Sequence, residues 1–382
     1  MIAQAERSPS GVAVAIPVKN EADRIGDCLR ALADQREAPP IAVVLLLNDC
    51  TDGTAAIVRR LACNLPFDVH CIETSLPRAQ SGAGYARRLA MIRAAELASD
   101  SVLLTTDADT RAPPDWIACN LRAIALGADA VAGRAVIDPV EALLIPQALH
   151  EDDAFESAYA ALLDEIRAVI DPDPADPWPR HSEHSGASIA VRTRVYQRAG
   201  GIPAMAPGED RAFLTALERI DARIRHAPEV RVTVSGRIFG RAEGGMADTI
   251  RRRMMQPDKF LDHRLEPAAN AARRAIAKTV FRKLWLSRCS NPTKLHRLRV
   301  RLAVSLEQLQ EAITQPHFGA AWMAIEAANL RLRRQLVPAS ETGAQTRKAR
   351  RILALLHAAG FSHPPSAADQ AAIAIPEAAM PG

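Results

Sequence analysis

Residues 101–109 read SVLLTTDAD: a strand over 101–106, apolar at 102–104, that stops at two aspartates one residue apart, Asp107 and Asp109. A short continuous apolar run is what a strand buried on both faces requires. Carboxylates at its tip face the crevice where parallel strands end, and two of them there attract a hard divalent cation. Taken alone, D-x-D is also ordinary turn chemistry after a strand. The surrounding pattern has to decide.

Upstream, residues 12–17 form an apolar run ending at Pro17, and residues 22–33 place Ile25, Leu29 and Leu32 at helical spacing. Residues 41–47 are apolar throughout, 48–54 read as a turn and 55–61 as a helix; a strand over 69–73 and a helix over 83–98 then lead into the run at 101. Downstream, a helix over 115–126 precedes a strand over 130–136, and strands over 185–191 and 230–235 flank a helix over 211–220. Strands alternating with helices predict an α/β fold on a largely parallel sheet, its loops gathered at the strands' C-terminal edge. The segment 171–179, DPDPADPWP, has too many prolines for regular structure and reads as a mobile loop.

After Gly245 the pattern is helix without strands, over 247–255, 268–288, 294–313, 320–334 and 346–359. The expected organisation is a disordered N-terminus (1–11), a sheet domain (12–246), a basic helical region (247–362) and a disordered tail (363–382). A chain of 382 residues, 48% hydrophobic, is long enough for two such cores.

The net charge is only +4, yet residues 251–301 hold 15 Lys or Arg against three acids, Asp258, Asp262 and Glu266. That stretch admits three readings: a solvated face, a surface docking on an anionic membrane with Phe281 and Trp285, or a nucleic-acid site. Aromatic residues are 4% of the chain, too few for stacking platforms, so no nucleic-acid partner is expected and peripheral membrane association stays open. The six cysteines show no C-x-x-C pair and no zinc-ligand spacing, and no run approaches the ~20 apolar residues that cross a bilayer. A reduced, cytoplasmic chain is the expectation.

Further motifs carry polar chemistry. Residues 14–21 read VAIPVKNE and 48–54 read NDCTDGT; Asn20, Asp23 and Asp52 also suit plain helix caps and turns. Ser81-Gly82-Ala83-Gly84 precedes a helix carrying Arg87, a combination that lets backbone, helix N-terminus and guanidinium approach phosphate. It is neither a P-loop nor a dinucleotide fingerprint. Gly208-Glu209-Asp210 puts two acids at a helix start, where they suit either a general base or the helix dipole. Arg237 and Arg241 lie in the segments 235–237 and 240–245, with guanidinium forks suited to phosphate oxygens.

In order and spacing, VAIPVKNE, the turn at 48–54, D-x-D and Glu209-Asp210 together resemble glycosyltransferase family 2 and its GT-A relatives, over about residues 12–245. The resemblance implies a GT-A domain that transfers a hexose from a nucleotide-diphosphate sugar to an acceptor the sequence does not name. Pro17, Asn20, Glu21, Asp49, Gly82, Arg87 and Asp107 would hold the donor, with Asp107 and Asp109 binding Mg2+ or Mn2+. Arg237 and Arg241 would belong to a segment closing over the diphosphate, and His184 and Gly186 to the acceptor side. Asp210, beside Glu209, would be the base if transfer inverts the anomeric centre. The chain departs from relatives with a metal-binding histidine near the closing segment, its nearest being His226 and His263, so the third metal ligand is open. Two rivals remain: a nucleotidyltransferase, disfavoured because the first loop lacks the Gly-rich, Lys-containing form a triphosphate needs, and a non-catalytic interaction protein presenting the basic helices.

Overall fold

The computed structural model describes residues 11–80, 82–99, 101–205, 207–241, 244–288 and 291–363. Expectations for residues 1–10 and 364–382, and for Ser81, fall outside them.

The chain runs β1 (Val12–Val18), α1 (Ile25–Ala33), β2 (Ile41–Asn48), α2 (Thr54–Ala62), β3 (Asp68–Thr74), α3 (Ala83–Leu97), β4 (Val102–Thr105), α4 (Trp116–Ala125) and β5 (Ala130–Ile137). Next come α5 (Pro139–Ala142), α6 (Gln147–Ile170), β6 (Ile189–Arg192), α7 (Thr193–Arg198), α8 (Glu209–Arg219) and β7 (Ile224–Val234). The helices α9 (Met246–Met255), α10 (Ala268–Leu286), α11 (Pro292–Leu302), α12 (Leu306–Thr314), α13 (Phe318–Ala328) and α14 (Thr342–Ala358) follow.

Residues up to His150, with Glu183–Pro257, form a sheet unit; Glu151–Ser182, with residues from Asp258 on, form a helical unit. The partition differs from a single cut near 246 because α6 is built to pack elsewhere. Its Tyr159, Leu163, Ile166 and Ile170 share one core with Leu265, Ala268, Ala271, Ala275, Ala349 and Leu353, and the Tyr159 hydroxyl donates to the Glu266 carbonyl at 2.7 Å.

In the sheet unit the strand order is β3-β2-β1-β4-β6-β5-β7. Six strands run one way; β6 is antiparallel to both neighbours, β4 and β5, so the sheet is mixed. Each strand feeds both faces because side chains alternate. Val12, Val14, Ile16 and Val18 of β1 pack with Ile25, Cys28, Leu29 and Leu32 of α1 and with Trp116 and Ile117 of α4. On the other face, Ala13 and Ala15 meet Ala86, Ala90, Met91 and Ala94 of α3, beside Phe213, Leu214 and Leu217 of α8. Alanines on both sides let α3 lie close to the sheet, which brings Arg87 underneath the strand tips.

In the helical unit the expected helix over 294–313 is two. Ala303 takes a left-handed φ of 51° that ends α11, and Ser305 starts α12 with a reciprocal capping box to Gln308. Phe281 is fully buried, and Trp285 packs against the core of Leu295, Leu298, Leu302, Leu309 and Trp322, so both aromatics offered for a membrane surface face protein. Two arginines of the basic run are matched by acids distant in sequence or buried. Arg282 grips Asp171 at 2.5 and 3.0 Å, and Arg274 meets Glu266 at 3.2 Å and Glu326 at 2.5 Å. Asp171 also accepts from Thr279, which anchors the start of the proline-rich segment. No helix among the described residues is long and apolar enough to cross a membrane.

Candidate active site

The site is made where β1, β2 and β4 end. β1 lies between the other two, so the loops after Val18, Asn48 and Thr105 emerge side by side. The antiparallel course of β6 adds a fourth. Its first residue, Ile189, pairs with the last of β4, Thr105, which sets the loop over 184–188 beside Asp107.

Arg87 organises this edge. It is 3% exposed, and its guanidinium makes four hydrogen bonds: Nε to Glu209 Oε1 at 3.0 Å, Nη1 to Thr105 Oγ1 at 2.9 Å and to the Gly186 carbonyl at 2.8 Å, and Nη2 to Asp107 Oδ1 at 2.6 Å. Burial opposes the charge, but Asp107 and Glu209 outweigh it and hold the guanidinium protonated. Where the sequence suggested a donor phosphate for Arg87, its four hydrogen bonds are all within the protein, and it links the D-x-D strand to the Glu209-Asp210 helix. Gly186 is required beneath it, since a Cβ there would lie 2.7 Å from Arg87 Cζ. The Gly186 N–H donates to Asp210 Oδ2 at 3.0 Å, and the Arg211 N–H donates to Asp210 Oδ1 at 2.7 Å. One buried cation thus ties Asp107, Glu209 and, through Gly186, Asp210. Gly82 caps α3 with extended backbone, φ −73° and ψ 158°.

Asp109 sits on the other side of the strand tip. Burial, and then the charge of Asp107, push its carboxyl up to about 7 even though Arg237 pulls the other way. Arg237 Nη2 lies 3.1 Å from Asp109 Oδ2, and its two terminal nitrogens donate to both oxygens of Glu21 at 2.6 and 2.8 Å. Arg241 reaches the Asn20 carbonyl and meets Asp23 Oδ1 at 3.2 Å. Both arginines of the expected closing segment therefore lie on the first loop, and Arg237 also on D-x-D; Ala242 and Glu243 are outside the described residues.

Asn20 and Asp49, at the ends of β1 and β2, both hold left-handed backbone, with φ of 54° and 52°. Asn and Asp take this conformation more readily than other side chains because their short polar groups hydrogen-bond locally. Asn20 does not cap α1; its Oδ1 accepts from the Thr51 N–H at 2.7 Å and joins the two loops. Asp52 is structural, accepting from the Ala22 N–H at 3.2 Å and from Thr54 Oγ1 at 2.5 Å. Pro17 pairs within the sheet opposite Leu46. Asp49, Cys50, Glu73, Thr74 and Ser75 line a pocket at the β2–β3 edge. His184 lies in the loop before β6, and its ring stacks on that of His226 at 5.6 Å.

Two contributors escaped the sequence reading. Glu141 binds Arg24 at 2.7 Å with one oxygen, and Ser235 Oγ and the Gly236 N–H at 2.8 and 2.7 Å with the other. Asp138 caps α5 by accepting from the N–H groups of Val140 and Glu141. With Asp23, Asp27, Asp109 and Arg111 these residues line a second, largely acidic pocket. The Asp-Pro pair at 138–139 was a readable helix start; the reach of Glu141 to residues 235–236 has no local signal.

The donor set fits a hard cation. Asp107 has one oxygen fixed by Arg87 and is about a third exposed, while Asp109 is a desolvated carboxylate held beside another negative charge. Among the described residues no third His, Cys, Asp or Glu side chain joins the pair at metal-sharing distance.

Among solved structures, TarS 1–349 of S. aureus aligns with 18% identity over 89% of this chain and 89% of that one, at a TM-score of 0.43. The mannosyltransferase PcManGT from Pyrobaculum calidifontis, in complex with GDP-Man and Mn2+, aligns with 20% identity over 93% of this chain and 87% of that one, also at 0.43. No curated protein matches. The sequence model of glycosyl transferase family 2 matches residues 13–174, which include the loops after β1 and β2, Arg87 and D-x-D; Gly186, Glu209, Asp210 and Arg237 lie beyond it. The α/β class expected from the sequence, a sheet of alternating strands and helices followed by a helical region, is observed, with β6 making the sheet mixed. Residues 13–174 are thus similar to glycosyl transferase family 2, the family the sequence motifs resemble.

Proposed function

We propose that the protein transfers a hexose from a nucleotide-diphosphate sugar to an acceptor hydroxyl, using the edge formed by β1, β2, β4 and β6. The observation that carries this reading is the Arg87 network, which joins a D-x-D carboxylate to the Glu209-Asp210 helix within one buried set of hydrogen bonds. A family 2 transferase needs its donor and acceptor halves in fixed register, because misplacement of about 1 Å between reacting groups can cost two orders of magnitude in rate.

In this reading Asp49 and the left-handed turn at Asn20 line the nucleoside pocket. Asp107 and Asp109 hold Mg2+ or Mn2+, which when bound stabilises the charge developing on the nucleoside diphosphate. Arg237 and Arg241 supply guanidinium forks for the phosphate oxygens by exchanging their contacts with Glu21, Asp109 and Asp23. Asp210 keeps an orientation fixed by two backbone N–H groups and takes the acceptor proton through its remaining lone pairs. His184 and Gly186 line the acceptor side.

Calorimetric titration of UDP and GDP, with and without Mn2+, tests the donor half. Metal-dependent binding of one nucleotide, lost in Asp107→Ala with the fold intact by circular dichroism, is expected. Equal binding with and without metal would remove Asp107 and Asp109 from the donor site.

A further inference from the structure

The helical unit holds a second cluster of metal-ligating side chains. Glu165 of α6, His357 in the last turn of α14 and His363 beyond it each place one ligand atom so that all three lie within 4.8 Å of one another. Gly360, with φ of 83°, turns the chain after α14, and the Phe361 N–H returns to the Leu356 carbonyl, which folds His363 back beside His357. His363 Nε2 stands 3.6 Å from Glu165 Oε1. The Trp178 ring stacks on the His363 imidazole at 5.2 Å and 10°, fixing its plane, while His357 meets it edge-on at 6.4 Å. Both ring nitrogens of His363 are shielded from solvent and make no hydrogen bond.

We propose that Glu165, His357 and His363 bind a borderline transition metal of the Zn2+ class. Two imidazoles and a carboxylate suit zinc and its neighbours and give a site unlike the all-oxygen pair Asp107 and Asp109. Metal–ligand bonds of about 2.0–2.2 Å put tetrahedral ligand atoms roughly 3.4 Å apart. The Glu165–His363 pair already has that spacing. His357 is exposed and swings in by a side-chain rotation. Three protein ligands leave a fourth position for water, and the bound ion clips the segment after α14 to α6. Metal coordination also accounts for one of the two His363 ring nitrogens that otherwise lack a hydrogen-bonding partner.

The test uses the full chain stripped of metal and titrated with Zn2+ by calorimetry, with Co2+ visible absorption as a second readout. Wild type is compared with His357→Gln, His363→Gln, Glu165→Gln and the double variant Asp107→Ala/Asp109→Ala. One Zn2+ per chain is expected, with affinity lowered at least about tenfold in His357→Gln, an exposed change that leaves folding intact. The same uptake is expected to persist in the double aspartate variant. No uptake at micromolar Zn2+, or uptake that survives both histidine substitutions, would overturn the site and leave an ion pair of His363 with Glu165.

Discussion

Replacing Arg87 with Met tests the keystone of the sheet unit. The substitution keeps much of the aliphatic length and deletes four hydrogen bonds, two of them to carboxylates. Glu209, 7% exposed, keeps its charge and loses its cation, whereas Asp107 is exposed enough for water to replace the lost contact. Removing one partner from a buried ion pair typically costs about 3–5 kcal/mol, because the other charge is stranded. For a unit of this size each kcal/mol is worth roughly 2–4 °C, so Arg87→Met is expected to lower the melting temperature of the sheet unit by on the order of 10 °C in scanning calorimetry. Adding Glu209→Gln removes the stranded charge and should recover part of the loss, while Arg87→Lys keeps charge without the fork and should fall between. A loss below about 1 kcal/mol, or a double variant no more stable than Arg87→Met, would refute the idea that one buried cation holds the two halves together.

Other changes have definite expected outcomes. Gly186→Ala pushes a methyl into Arg87, so a loss of about 1–3 kcal/mol and weaker metal-dependent nucleotide binding are expected; denaturation and calorimetry check both. The Asp109 carboxyl is raised to about 7 in the folded protein, against an ordinary value near 4, so folding takes up a proton between those values. Stability from the neutral form is present at low pH and is lost as pH rises toward 7. Asp109→Asn should therefore raise the melting temperature of the metal-free protein more at pH 8 than at pH 5, and an equal effect at both would contradict the burial argument. Ser305→Ala removes the capping box of α12 and should cost the helical unit about 1 kcal/mol in denaturant unfolding.

The alternation of strands and helices was legible because apolar runs and helical spacing are local, and Asp107 and Asp109 stood out as acids ending such a run. The direction of β6 was not legible. Four residues carry no signal of orientation, yet that reversal brings Gly186 to Arg87. The fate of Arg87 was hidden for a related reason, since a guanidinium beside a glycine turn reads as phosphate-binding until Glu209, 122 residues away, is seen to share it. The α6 stretch, 147–170, was assigned no element. Its apolar residues find their partners after residue 260, so a cut by composition missed the unit it joins. The break at Ala303 left the helical pattern of 294–313 intact in sequence, and only the Ser305–Gln308 box marked it.

The most direct measurement of the central claim is release of nucleoside diphosphate from a panel of UDP- and GDP-hexoses by the full chain, with Mn2+, with Mg2+ and with chelator. The account predicts release from one donor class, dependent on the cation and abolished in Asp109→Ala that remains folded. Release unaffected by chelator and by Asp109→Ala would contradict it.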